Sequence, residues 1–272
     1  MAEGDNRLAR AAKPGPSGTE PRSDALADSD SADGLGSGYH PLVGRLGGPP
    51  AEVDGALRDR RAAIAELGDA VRDLVEQVSA TEVPPDVLRQ VAAQVSQAAA
   101  VLGQRTRARA DLPSADDLIG RQRMYNPVIG SGSGLAAPLH VEVTGDRVVG
   151  TCTLGLAFEG PPTFAHGGVS AMLLDQLLGH ATSAAGHPGM TVQLDITYRA
   201  PVPLQTPLHL TAQVSEVTGR RVTARGMLAT AAEPGTALVE AAGTFVGLRP
   251  DQAARLFGGV RPDATDPQIA HD

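Results

Sequence analysis

From Val169 the apolar residues Met172, Leu173, Leu177, Ala181 and Ala184 recur at helical spacing, and Leu174 and Leu178 fill most of the opposite side. A helix that is apolar nearly all round belongs in an interior. Pro161 and Pro162 are barred from it, Gly167 and Gly168 let the backbone turn sharply into its first turn, and Gly186 and Pro188 end it. On either side the period drops to two. Leu139, Val141 and Val143 alternate with His140, Glu142 and Thr144, Gly145-Asp146 makes a turn, and 148–156 reads as the returning strand of a hairpin. After the helix, Val192, Leu194, Ile196 and Tyr198 are predicted to share one face of a half-buried strand, with Thr191, Gln193, Asp195, Thr197 and Arg199 on the other. Prolines break 200–207. Strands over 208–217, 222–230 and 236–248 complete the set, the first two joined at Thr218-Gly219. Antiparallel strands around one long helix, with no second helix long enough for a parallel crossover, make the fold class α+β.

Upstream the pattern changes again. Residues 1–50 are predicted to be a disordered tail and linker, because Gly, Pro, Ser, Asp and Ala dominate and few large apolar side chains are present to offset ordering entropy. Leu57, Ile64, Leu67, Val71, Leu74 and Val78 fall three and four apart with charges between them, which is an amphipathic helix. Pro84 and Pro85 break it, and Leu88, Val91, Val95, Ala99 and Leu102 form the stripe of a second helix. The region 51–104 therefore reads as a helical hairpin that closes on itself, on the following domain or on a partner copy, and a packing appendage is the simpler role than a lid. Residues 250–272, polar and Pro-containing, are expected to form a flexible C-terminal tail.

Composition narrows the function. The chain has 272 residues, a net charge of -8 and 42% hydrophobic residues, enough for one good-sized core with appendages. Nucleic acid is an unsuitable partner, since the acidic balance repels phosphates and no basic run with interleaved aromatics offsets it. Cys152 has no second cysteine to pair with and is read as a small core residue, which suits a cytoplasmic location. No secretory leader or membrane span is expected.

One acid interrupts the central helix. Asp175 is flanked by Leu173, Leu174, Leu177 and Leu178, and no Lys or Arg lies between Ala165 and Arg199. Burying such a carboxylate unpaired is costly, so it is either a functional group or one that points to solvent from a partly exposed helix. Other constellations fail. The 130–134 glycine-serine run opens no helix, Ser170 lacks the second glycine of a nucleophile elbow, and the histidines show no metal-ligand spacing, so no cofactor and no metal are expected.

His166-Gly167-Gly168 with an acid at 166 + 9 = 175, inside FEGPPTFAHGGVSAMLLDQLLG, resembles the signature of hotdog-fold acyl-CoA thioesterases of the PaaI-like branch, within the 4-hydroxybenzoyl-CoA thioesterase superfamily. The resemblance covers 119–249. It implies a curved antiparallel sheet wrapped around one central helix, an acyl-CoA substrate, and a homodimer or dimer of dimers whose protomers complete each other's sites. Among catalytic residues, it implies the Gly167 N–H as oxyanion donor, Asp175 as general base or nucleophile, and His166 in support of the turn. Gly168 and Thr163 would line the substrate. Thr163 is the side chain available in Gly160-Pro161-Pro162-Thr163, where many relatives carry an Asn or Gln. Coenzyme A carries phosphates, so Arg199, Arg220 and Arg221 are candidate contacts. The low 3% aromatic content favours fatty over aryl groups. Two other readings stay open, a non-catalytic hotdog module that binds acyl-CoA or a protein, and a hotdog dehydratase.

Overall fold

The structure, a computed structural model, describes residues 55–117, 122–137, 139–144 and 147–260. The tail expected over 1–50 and the Gly145-Asp146 turn lie outside these residues. Within them the chain forms α1 (Gly55–Ala80), α2 (Pro85–Leu102), β1 (His140–Thr144), β2 (Arg147–Thr153) and a short 3-10 turn (Leu156–Phe158). The central helix α3 (Gly167–Ala184) follows, then β3 (Met190–Tyr198), β4 (Pro207–Thr218), β5 (Arg221–Thr230), β6 (Val239–Val246) and α4 (Pro250–Phe257).

The strands form one six-stranded antiparallel sheet in the order β1-β2-β4-β5-β6-β3, curved around α3 in the hotdog arrangement. Leu173, Leu174, Leu177 and Leu178 are fully buried against Leu208, Leu210, Leu228, Val239 and Phe245. Each such side chain contributes about 1.5–3 kcal/mol through its removal from water. Small residues beneath the helix allow the close approach. A Cβ at Gly150 would stand 3.1 Å from Leu177 Cδ1, and one at Gly243 would stand 3.1 Å from Leu178 Cδ1. At the β4–β5 hairpin Gly219 adopts φ +56, the left-handed conformation this tight turn needs.

β3 departs from the simple alternation its sequence suggests. Thr191 pairs with Phe245 and Gln193 with Thr244, so Val192 is an extra residue, a β-bulge. Downstream of the bulge Leu194, Ile196 and Tyr198 face the helix as expected, but upstream it is Thr191 that does so. β3 is also a sheet edge, and its apolar row is more open than a half-buried strand. Met190 is 45%, Val192 40% and Tyr198 54% exposed.

α1 packs against the 3-10 turn and the loop around Gly132. Ile64 and Val71 meet Gly132 and Gly134, and at Gly68 a Cβ would fall 2.1 Å from the Ser131 carbonyl oxygen. Arg61 Nε donates to the Ala115 carbonyl at 2.9 Å, and Arg72 Nη1 donates to the Ser131 and Ser133 carbonyls at 2.9 and 2.7 Å. α2 behaves differently: it buries no residue, and its stripe is open at Leu88, Val95 and Leu102.

The segment after Arg249, expected to be flexible, instead forms α4 as far as Phe257, with Gln252 and Ala253 buried. Pro250 at the first helical position is preset for the helix, and Gln252 Oε1 accepts from the Arg249 N–H at 3.0 Å. No described helix is long and apolar enough to cross a membrane.

Candidate active site

The start of α3 is built by its own cap. His166 sits in extended conformation (φ -62, ψ 132), and its Nδ1 accepts from the Gly168 N–H at 3.0 Å. The His166 carbonyl takes the Val169 N–H at 2.9 Å. No acceptor among the described residues meets the Gly167 N–H, so it stands open at the positive end of the helix dipole. Of the two amides offered by the glycine pair, the cap consumes one and leaves the other.

Tyr198, which the sequence pattern marked only as a strand residue, fastens this turn. Its hydroxyl donates to the Gly167 carbonyl at 2.9 Å. A Cβ on residue 167 would stand 3.2 Å from that hydroxyl, so glycine keeps the contact free of crowding. The preceding loop closes on itself: the His166 N–H donates to the Phe158 carbonyl at 2.9 Å and the Thr163 N–H to Glu159 Oε1 at 2.8 Å. Thr163 lies exposed in this loop with φ +72, a strained conformation for a β-branched residue.

Asp175 lies half-buried on the flank of α3 that faces β3, beside leucines that are completely enclosed. It is neither sealed in the core without a partner nor free in solvent. Thr191 Oγ1 donates to its Oδ1 at 3.0 Å. The neighbouring Gln176 is held through its Oε1 by Asn126 Nδ2 at 3.1 Å. Within one chain Asp175 and Gly167 do not converge. They are 175 − 167 = 8 residues apart in one helix, which at ~1.5 Å each separates them by about 12 Å along the axis. Both nevertheless border β3, Asp175 through Thr191 near its beginning and Gly167 through Tyr198 at its end.

The three candidate arginines lie elsewhere. Arg199 is directed to the face of the sheet away from α3 and pairs with Glu240 at 2.7 Å. Together with Arg147, Asp195, Thr211, Arg225 and Glu240 it borders an outer-face groove of about 650 Å³. Arg220 Nη1 donates to the Gly247 carbonyl at 2.8 Å, at the tip where Arg221 opens β5 opposite Val246. The structure thus brings His166, Gly167 and Gly168 together and sets Asp175 along the same strand, but it does not gather the arginines around them. Ser170 is buried, and its Oγ has no hydrogen-bond partner among the described residues, which leaves it no base there to act with. The strand partners Thr191 and Tyr198 carried no local signal, because each meets the helix only after the strand has returned along it.

Residues 163–231 match the thioesterase superfamily profile, a span that runs from Thr163 through the cap, α3, Asp175, β3, β4 and β5. The crystal structure of a thioesterase superfamily protein is 35% identical, with a TM-score of 0.61, and the match covers 73% of this chain and 97% of that one. Acyl-coenzyme A thioesterase THEM4 of Mus musculus is 26% identical over 137 residues, which is 50% of this chain and 59% of the relative. The Bos taurus protein of that name is 31% identical over 100 residues, 37% of this chain and 40% of the relative. The chain therefore spans less than two thirds of the length of these curated relatives.

Proposed function

The chain belongs to the thioesterase superfamily, and we propose that it hydrolyses the thioester of acyl-CoA, chiefly fatty acyl-CoA, to the free acid and coenzyme A. One observation carries this reading: a single helix presents an open N–H at Gly167 and a half-buried carboxylate at Asp175, both bordering the exposed edge strand β3.

The chemistry follows from those groups. The thioester carbonyl oxygen accepts from the Gly167 N–H, where charge developing on it meets the helix dipole. Asp175 either takes a proton from water, so that hydroxide adds to the carbonyl carbon, or attacks that carbon itself to give an anhydride that water then opens. In either course the C–S bond breaks, and the thiolate of coenzyme A leaves and gains a proton. The Thr191 hydroxyl orients the carboxylate. His166 supports the turn by occupying the Gly168 amide, and Gly168 and Thr163 border the acyl approach.

The separation along α3 calls for a second protomer. Two copies joined antiparallel along β3 bring Asp175 of one chain toward Gly167 of the other, and the joining covers the exposed Met190, Val192 and Tyr198. In this reading the active unit is a homodimer. The arginines take no part in the thioester chemistry, and only a coenzyme A tail crossing the outer edge of the dimer would reach them.

The test is release of free thiol from a panel of acyl-CoA chain lengths by the wild type and by Asp175→Asn. Loss of turnover by about 100-fold or more in the variant supports the assignment. Equal rates overturn it, and saturable acyl-CoA binding without turnover would make the chain a binding module instead.

A further inference from the structure

We propose that Glu76, on α1 and outside the matched thioesterase segment, is a positioning residue that holds the His166-Gly167 turn in its working geometry. The inference deepens the hydrolase reading and rests on it for its kinetic consequence, while its structural consequence can be measured without it.

The Glu76 carboxylate spans the start of the 3-10 turn. Its Oε1 accepts from the Leu156 N–H at 2.9 Å and its Oε2 from the Ala157 N–H at 3.1 Å. These are the unpaired donors that open any short helical turn, and here an acid 80 residues away in sequence satisfies two of them together. The turn passes the constraint on. Phe158 ends it, and the Phe158 carbonyl accepts the His166 N–H at 2.9 Å, one residue before the open Gly167 amide. From α1 to the helix N-terminus the path is therefore one carboxylate, one three-residue turn and one backbone hydrogen bond.

Two features show that the site is shaped around this contact. Gly155 has an ordinary extended backbone, with φ -85 and ψ -173, so its lack of a side chain is not a matter of backbone strain. A Cβ there would fall 2.2 Å from Glu76 Oε2, so the carboxylate occupies the space that any other residue would fill. α1 is itself anchored along the face that carries Glu76. Arg61, Gly68 and Arg72 fall at helical spacing with it: the two arginines donate to the Ala115, Ser131 and Ser133 carbonyls, and Gly68 packs closely against the Ser131 backbone. The helix is therefore a support from which the acid reaches the 3-10 turn, and through it the His166-Gly167 turn.

The experiment uses the full chain and three variants: Glu76→Ala, Gly155→Ala and the pair combined. Steady-state thiol release is measured beside amide hydrogen exchange over 156–168. Glu76→Ala should lower kcat about tenfold with KM changed less than about twofold, because a turn displaced by a fraction of an ångström presents the same pocket with a misplaced donor. The His166 amide should exchange faster. Gly155→Ala should reproduce both effects by expelling the carboxylate, and the double variant should be no worse than either single one, since removing the acid makes room for the new methyl. Glu76→Asp, with the carboxylate drawn back by one methylene, should fall between wild type and Glu76→Ala. A lowered melting temperature with wild-type kcat and unchanged exchange at His166 would reduce Glu76 to a simple cap and overturn the inference, as would fully additive losses in the double variant. If the wild type turns over no acyl-CoA, the hydrolase reading fails by itself, and the exchange data still decide whether Glu76 holds the turn.

Discussion

Thr191 Oγ1 donates to Asp175 Oδ1 at 3.0 Å only because β3 bulges at Val192. Without that extra residue the strand's alternation would send Thr191 to the outer face with Gln193 and Asp195, and the carboxylate would have no donor from β3. A local irregularity in a strand thus supplies the partner of an acid on the helix.

Thr191→Val keeps the shape of the side chain and removes the donor. A hydrogen bond to a charged group contributes about 1.5–3 kcal/mol, so turnover should fall roughly 10-fold or more while the fold is kept. Acyl-CoA hydrolysis and the circular dichroism spectrum measured together check this. An unaltered kcat would show that Asp175 needs no orienting hydroxyl.

Met190 and Val192 lie on the exposed edge strand, at 45% and 40% exposure. Replacing both with lysine places charge along the edge proposed to join two copies, and like charges facing across it should block the pairing. Sedimentation should then report a monomer, with thiol release reduced at least about tenfold because each site loses its second helix. A monomeric variant with full activity would refute the two-chain site.

Thr163 holds φ +72 in the loop before the helix. Glycine adopts that conformation without steric penalty but is freer when unfolded, and the two effects oppose each other. Relief of strain in a β-branched residue should prevail, so Thr163→Gly is expected to raise stability by about 1 kcal/mol. Urea unfolding midpoints decide it, and a destabilised variant would mean that the Thr163 side chain makes a contact outweighing its strain.

Burial pushes the Cys152 thiol up from its ordinary 9.0 to about 12. The folded state then keeps a proton that the unfolded state gives up, so between these values unfolded chains bind fewer protons and stability falls as pH rises. Below 9.0 the contribution is fully present. Denaturation midpoints followed through this range should fall more steeply for the wild type than for Cys152→Ala, and parallel curves would contradict the shift. Thiol-directed reagents should also react slowly with the native protein.

Much of this was legible in the sequence, for identifiable reasons. The central helix, the antiparallel strands and the Gly219 turn declare themselves through periodicity and turn chemistry, which neighbouring residues carry among themselves. The cap at His166 and the glycine pair belong to the same local grammar. What the sequence missed was of another kind: α4 formed where a polar tail was expected, because Gln252 and Ala253 find a surface on which to bury.

By itself the chain determined an apolar rod with one acid in it, a glycine-initiated helix start, and a set of alternating strands, all properties of residues within a few positions of each other. Only the tertiary structure decided that β3 would be an edge, that its bulge would bring Thr191 to Asp175, that Tyr198 would clamp Gly167, and that Glu76 would cap a turn 80 residues away. The reason is that sheet order, register and distant capping are set by which surfaces bury one another once the chain has closed, and no window along the sequence contains both partners.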